Sequence, residues 1–154
     1  MSSFTSALVT RWEDDGTWVI VEGFRYYVGE VESGLFVDVP DGYRTDLTSV
    51  PRVLQWLVRK LGKEGPCAAV HDVLYSTGEM SIEIEDPERP GRFLETKVKV
   101  TKGISDSIFY ESMTVKNVNP LRREALYRGL QVGGFVSWNE HVARRAAAKL
   151  RENT

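Results

Sequence analysis

The sequence predicts an α+β fold, in which an N-terminal antiparallel β-meander packs with four to five helices and carries one inserted β-hairpin. Over the first forty positions, short runs rich in Val, Tyr, Trp and Phe alternate with turn residues, as in antiparallel strands. Most of the later chain repeats its apolar residues at helical spacing, and the two patterns do not alternate as in a βαβ protein. A chain of 154 residues with ordinary globular composition is expected to form a single domain, 1–154.

The β-meander is predicted from alternation and from the turns between its strands. Asp15-Gly16 and Ser33-Gly34 supply residues that tolerate positive φ, as tight hairpin turns require. Pro40 and Gly42 end the sheet region. We therefore expect strands at residues 17–22, 24–31 and 35–39, with a weaker one at 7–12.

Helices are predicted where apolar periodicity coincides with capping and stop signals. Ser49 is expected to cap the first helix and Ser105 the third, and Gly133-Gly134 is expected to interrupt the last helical stretch. The predicted helices span residues 51–61, 66–76, 106–116, 120–132 and 138–154.

A long two-stranded hairpin is predicted over residues 80–101. SIEIE and FLETKVKV alternate apolar and charged residues around DPERPGR, whose prolines and glycine exclude regular structure. We expect this hairpin to stand on the surface with its charged side in water.

Composition excludes several classes of protein and site. Cys67 is the single cysteine and there are two histidines, so an intramolecular disulfide and a three-histidine metal site within one chain are both excluded. The formal charge of −2 gives no reason to expect nucleic-acid binding, although residues 119–154 are basic and are read as a solvated helix face. With no run of eighteen apolar residues and no secretory signal pattern at the start, we expect a soluble protein without a membrane span.

Five side chains carry the chemistry that the sequence suggests: His71, Asp72, Tyr75, Asp46 and Asp106. His71 and Tyr75 are four apart on one predicted helix and share a face, in otherwise apolar surroundings. A buried ionisable group needs a partner, and the carboxylates are candidates for that partner. One interpretation is a general acid/base or metal site, with His71, Asp72 and Asp46 as ligands of a divalent metal ion.

Three alternatives remain open for these residues. The cluster is also explained as a structural network, in which Asp46 makes an Asx-turn, Asp106 favours a helix dipole and His71 is a core histidine bonded to a carbonyl group. Ser49, His71 and Asp106 supply the residue types of a serine hydrolase triad, but without a G-x-S-x-G elbow. Cys67, near a helix amino end and four residues before His71, is a candidate nucleophile of lowered pKa.

Four motifs resemble, in order, those of a bacteriophage-associated family, domain of unknown function number 1353. They are VPDGYRTDLTSVPR from Val39 to Arg52, AAVHDVLYSTG from Ala68 to Gly78, SDSIFYESM from Ser105 to Met113, and LYRGLQVGGFVSW from Leu126 to Trp138. The family pattern maps onto Thr45, Asp46, Ser49, Pro51, His71, Asp72, Leu74, Tyr75, Asp106, Phe109, Tyr127, Gly134 and Trp138.

The resemblance implies that the polar cluster is a family feature, but it implies no reaction. It also implies that the hairpin at 80–101 is an insertion serving a partner peculiar to this protein. Cys67 and His141 match no motif position, which weakens the cysteine scheme and any metal site that needs a second histidine.

The leading expectation is therefore a small phage-encoded protein with a hydrolase-like acid/base or metal site around His71. Cell-wall material, a nucleotide signal or a host metabolite are the substrate classes that a phage context suggests. The competing expectation is a non-enzymatic virion (tail or head) or assembly component, or an inhibitor of a host defence protein. Its partners are then phage structural or host proteins, and its location the host cytoplasm or the virion.

Overall fold

A computed structural model describes residues 3–45 and 62–152. The fold is α+β with antiparallel sheets, as the sequence predicts, and the described residues form eight strands and three α-helices. The strands are β1 (Ser3–Phe4), β2 (Val9–Trp12), β3 (Trp18–Glu22), β4 (Phe24–Tyr27), β5 (Leu35–Val39), β6 (Arg44–Thr45), β7 (Glu79–Glu85) and β8 (Phe93–Lys99). The helices are α1 (Gly65–Thr77), α2 (Lys102–Val115) and α3 (Pro120–Glu152).

The predicted meander is divided between two sheets. β3 pairs with β2 and β6, whereas β4 belongs to a five-stranded sheet of order β1-β4-β5-β7-β8. The chain changes sheet at Gly23, where an added Cβ would lie 2.7 Å from the carbonyl oxygen of Val39. Only glycine fits so close to a neighbouring backbone, so this residue makes the crossing between sheets possible.

The hairpin predicted at residues 80–101 is present as β7 and β8, but it does not stand alone. β7 pairs with β5 through Leu35 opposite Ile82 and Phe36 opposite Ser81. The hairpin therefore extends the main sheet, and β8 forms one end of that sheet.

The helices differ from the prediction in number and in two boundaries. α1 begins one residue before the predicted start, and Gly78 ends it in the left-handed conformation. α2 begins at Lys102 rather than Asp106, because Thr101, not Ser105, caps it by accepting from the Ile104 amide. Four to five helices were predicted, and the described residues contain three; the helix predicted at 51–61 lies outside them.

α3 is one continuous helix of 33 residues, so the predicted interruption at Gly133-Gly134 is wrong. An added Cβ at Gly134 would lie 2.9 Å from the Tyr75 hydroxyl and 3.1 Å from Cε of Lys102. The missing side chain lets α3 lie against α1 and α2, and this packing outweighs the low helix propensity of glycine. No described helix is both long and apolar enough to cross a membrane.

Two groups of buried side chains form the core. One is formed by side chains of both sheets, α1 and α2, and contains Ile20, Tyr26, Val37, Val39, Val70, Leu74 and Ile108. The other joins the three helices, and contains Cys67, Ala68, Phe109, Met113, Val118, Leu126 and Leu130. The face of α1 that meets α2 and α3 therefore lies in the interior, and this face carries His71.

We expect Gly134→Ala to destabilise the protein by about 1–3 kcal/mol, because the added methyl group would displace the Tyr75 hydroxyl and the end of Lys102 from their hydrogen bonds to Asp106. Helix propensity alone would predict a gain of about 1 kcal/mol. Urea unfolding followed by tryptophan fluorescence measures the difference. Gly103→Ala is the matched control, since a Cβ there meets only the Thr101 hydroxyl at 3.9 Å, and it should not destabilise. A Gly134→Ala variant as stable as the wild type would contradict the packing argument.

Candidate functional site

His71 and Tyr75 lie on the buried face of α1, as their spacing predicts. Both side chains are fully buried, and their rings lie 4.1 Å apart between centroids. Phe109 of α2 packs against the imidazole at 4.9 Å, and Trp138 of α3 packs against the phenol ring at 5.1 Å. Aromatic side chains from two other helices thus fix the orientation of both rings.

Asp106 of α2 is the centre of the site, and four groups donate hydrogen bonds to its carboxylate. Oδ1 is 2.9 Å from Nε2 of His71 and accepts from the Tyr75 hydroxyl at 2.7 Å. Oδ2 accepts from Nζ of Lys102 at 2.6 Å and from Nε2 of Gln131 at 3.0 Å. The carboxylate is completely buried, and its two oxygens together receive donors from all three helices.

Lys102 and Gln131 are members of the site that the sequence analysis missed. Lys102 is nearly buried and also donates to the Leu130 carbonyl oxygen at 3.0 Å. One signal was present, because Lys102 and Asp106 have the i, i+4 spacing of a helical ion pair. A lysine in the first turn also opposes the helix dipole, which calls for a compensating partner. No spacing or charge pattern in the sequence relates Gln131 to Asp106.

Burial raises the pKa of the Asp106 carboxyl, but the hydrogen bonds from His71 and Lys102 outweigh burial and leave the pKa below its ordinary value. Burial, followed by the Asp106 carboxylate, raises the pKa of Tyr75 far above its ordinary value. Asp106 is therefore an anion at neutral pH, and Tyr75 keeps its proton and donates it to that anion.

The hydrogen bond to Asp106 fixes the tautomer of His71. An ionised carboxylate accepts but does not donate, so Nε2 must carry the proton. Nδ1 is buried and has no hydrogen-bond partner among the described residues. A proton there would be a buried donor without an acceptor, so we assign the neutral tautomer with a lone pair on Nδ1.

Asp72 does not join this cluster. Its side chain lies toward the sheet region, where Oδ2 is 3.3 Å from the Tyr43 hydroxyl, although it follows His71 directly in the sequence. In residues 3–45 and 62–152, no three or more His, Cys, Asp or Glu side chains form a group that could hold a metal ion. Asp46, the third proposed ligand, lies outside the described residues.

The structure bears differently on the two schemes in which a cysteine or a serine is the nucleophile. Cys67 is completely buried, and burial raises the pKa of its thiol to about 12, opposite to the expected effect of the helix dipole. The cysteine scheme is therefore wrong in its physical premise, because the thiolate is the nucleophilic form. In the serine scheme, His71 and Asp106 are in contact, but Ser49 lies outside the described residues.

A family model described as a protein of unknown function (DUF1353) matches residues 18–130, which is more than half of the chain. The chain belongs to the DUF1353 family. No curated protein and no solved structure matches it. In this DUF1353 protein the matched range contains His71, Tyr75, Lys102 and Asp106, and it ends one residue before Gln131.

The lowered pKa of Asp106 predicts a loss of stability in acid. Its unfolded value is 3.8 and its folded value is lower, so the stabilisation is complete above pH 3.8 and is lost as the pH falls through the folded pKa. Urea unfolding at a series of acidic pH values should show this loss. Asp106→Asn should reduce the slope, because its side chain does not titrate. An equal slope in both proteins would contradict the assigned direction.

Proposed function

We propose that this protein is a hydrolase in which Nδ1 of His71 is the general base toward a water molecule. Asp106 is then a positioning residue that holds the imidazole. One observation carries the proposal: Nε2 of His71 faces a carboxylate whose two oxygens each receive two donors, while Nδ1 has no partner among the described residues.

A purely structural histidine would be expected to bond through both ring nitrogens. Most buried polar atoms have a partner, and leaving one without costs about 1–3 kcal/mol. Among the described residues, Nε2 has Asp106 as its hydrogen-bond partner, whereas Nδ1 has no partner. The unpaired lone pair supports a position for a water or substrate group beside Nδ1.

The arrangement matches the requirements of general-base catalysis. A carboxylate bonded to one imidazole nitrogen fixes the tautomer and stabilises the imidazolium that forms when the other nitrogen takes a proton. In the proposed step, Nδ1 takes a proton from water while the water oxygen bonds to an electrophilic carbon or phosphorus atom. The imidazolium then returns the proton to the leaving group as its bond breaks, so His71 ends unchanged.

The proposal includes a metal-dependent form, in which Asp72 and Asp46 bind a divalent cation. Carboxylate oxygens are the ligands that hard cations prefer, so a cation bound there would lie on the Tyr43 side of α1, where Asp72 is placed. Because His71 acts as the base in this proposal, it is not a ligand of the metal ion, and the proposed ligands are Asp72 and Asp46 alone.

The phage origin and the substrate class belong to the same proposal. The motifs around Asp46, His71 and Asp106 resemble those of a phage-associated family, and this supports cell-wall material, a nucleotide or a host metabolite as the substrate.

A second candidate is a non-enzymatic role as a virion or assembly component, or as an inhibitor of a host defence protein. The outer side of α3 favours it, since large apolar side chains there are more than half exposed: Leu121, Val132, Phe135, Val136 and Leu150. Such exposure is typical of surfaces that contact other proteins. In this candidate the site around Asp106 only holds the three helices together.

The two candidates are separated by testing hydrolysis with and without the base. Wild-type protein is incubated with chromogenic carboxylic esters, phosphodiesters and labelled cell-wall material, each with and without added Ca²⁺, Mg²⁺ or Mn²⁺. The hydrolase proposal predicts turnover of at least one class, and its loss in His71→Gln. If the wild type turns over no substrate in any condition, the assembly candidate replaces it.

A further inference from the structure

The open side of β8 is an unused edge of the five-stranded sheet. β8 pairs with β7 on one side, from Phe93 opposite Glu85 to Lys99 opposite Glu79. On its other side, no strand in the described part of the chain pairs with it. An edge strand presents backbone N–H and C=O groups that another strand can pair with.

The two faces of the β7–β8 hairpin differ in character. Leu94, Thr96 and Val98 alternate with Phe93, Glu95, Lys97 and Lys99 along β8, so the first set shares one face and the second set the other. On the first face, Leu94 is opposite Ile84, and their exposed fractions are 38 % and 45 %. The side chains of Glu95 and Lys97 are 44 % and 55 % exposed on the second face.

The sequence of β8 is complementary to itself when reversed about Thr96. In an antiparallel pair centred there, Leu94 of each copy faces Val98 of the other, and Glu95 faces Lys97. Directly opposed residues lie on the same face of a sheet, so the apolar pair and the charge pair each form twice, once on either side of Thr96.

Neighbouring registers lack this complementarity. A shift of one residue places Leu94 opposite Lys97 and mixes the apolar and charged faces. A shift of two places either Glu95 opposite Glu95 or Lys97 opposite Lys97. Like charges directly opposite one another are destabilising, so the register centred on Thr96 is favoured over its neighbours.

We propose that two copies of this chain associate through antiparallel pairing of β8 with β8, centred on Thr96, to form one continuous sheet. Glu95 and Lys97 already form an ion pair within each chain, at 3.3 Å, and pairing of two copies adds the opposed charges of the second copy to it. The pairing does not depend on the proposed chemistry at His71.

Light scattering coupled to size-exclusion chromatography tests the proposal over a concentration series. Wild-type protein should show twice the 17.4 kDa mass of the chain. Glu95→Lys and Lys97→Glu should each weaken the dimer by about tenfold or more, because each replaces two attractions with two repulsions. An equimolar mixture of the two variants should restore the dimer, since the charges at positions 95 and 97 then again oppose each other across the interface.

Glu88→Lys is the matched control, because it changes charge in the exposed hairpin turn outside β8 and should leave the dimer intact. Circular dichroism verifies that each variant is folded. A monomeric wild type, a dimer that survives both single substitutions, or a mixture that stays monomeric would each overturn the proposal.

Discussion

Asp106→Ala is expected to destabilise the protein by about 3–5 kcal/mol, a large fraction of the roughly 5–15 kcal/mol by which ordinary domains are stable. The substitution removes the acceptor of four hydrogen bonds and leaves Nζ of Lys102 as a charge without its counter-ion in the interior. The Leu130 carbonyl remains as a partner but carries no charge. Urea unfolding followed by tryptophan fluorescence and by circular dichroism measures the loss.

A double variant separates the buried charge from the other losses. Asp106→Ala combined with Lys102→Met removes both members of the ion pair, and it should recover part of the stability lost by Asp106→Ala alone. Asp14→Ala, an exposed position, should change the free energy of unfolding by less than about 0.5 kcal/mol. If Asp106→Ala were as mild as Asp14→Ala, the buried network would not hold the helices together.

His71→Gln is expected to reduce hydrolysis by about 10²- to 10⁴-fold while preserving the fold, since this is the usual range for loss of a general base. The glutamine amide nitrogen takes the place of Nε2 and can donate to Oδ1 of Asp106, but nothing takes the place of Nδ1. Comparing kcat/KM of the variant and the wild type on the substrate found by the panel measures the effect.

His71→Asn provides the opposite replacement and the control for stability. Its shorter amide takes the place of Nδ1 and no longer reaches Asp106, so we expect a lower free energy of unfolding than for His71→Gln. Full hydrolytic activity in His71→Gln would rule out Nδ1 as the base. A strongly destabilised His71→Gln with unchanged activity per folded molecule would show that His71 is only structural.

The sequence identified three side chains of the site: His71, Tyr75 and Asp106. His71 and Tyr75 were paired correctly because residues four apart share a helix face. Asp72 was grouped with them by adjacency, yet it lies toward Tyr43, since neighbours on a helix point in different directions. Lys102 was missed because the helix was predicted to begin at Asp106, so the i, i+4 spacing within α2 was not recognised. Gln131 was missed because its contact with Asp106 depends on how α2 and α3 pack.

Two kinds of sequence pattern were sufficient to predict the extent of α1, the existence of the β7–β8 hairpin and the α+β class. They are the residues that begin and end a helix, and the alternation of apolar and charged residues along a strand. These depend on backbone preferences within a few residues, which a short pattern encodes. Tertiary structure alone decided the division of the sheets at Gly23, the unbroken course of α3 and the donors around Asp106. His71 and Gln131 lie 35 and 25 residues from Asp106, and contacts over such separations depend on packing that no local pattern specifies.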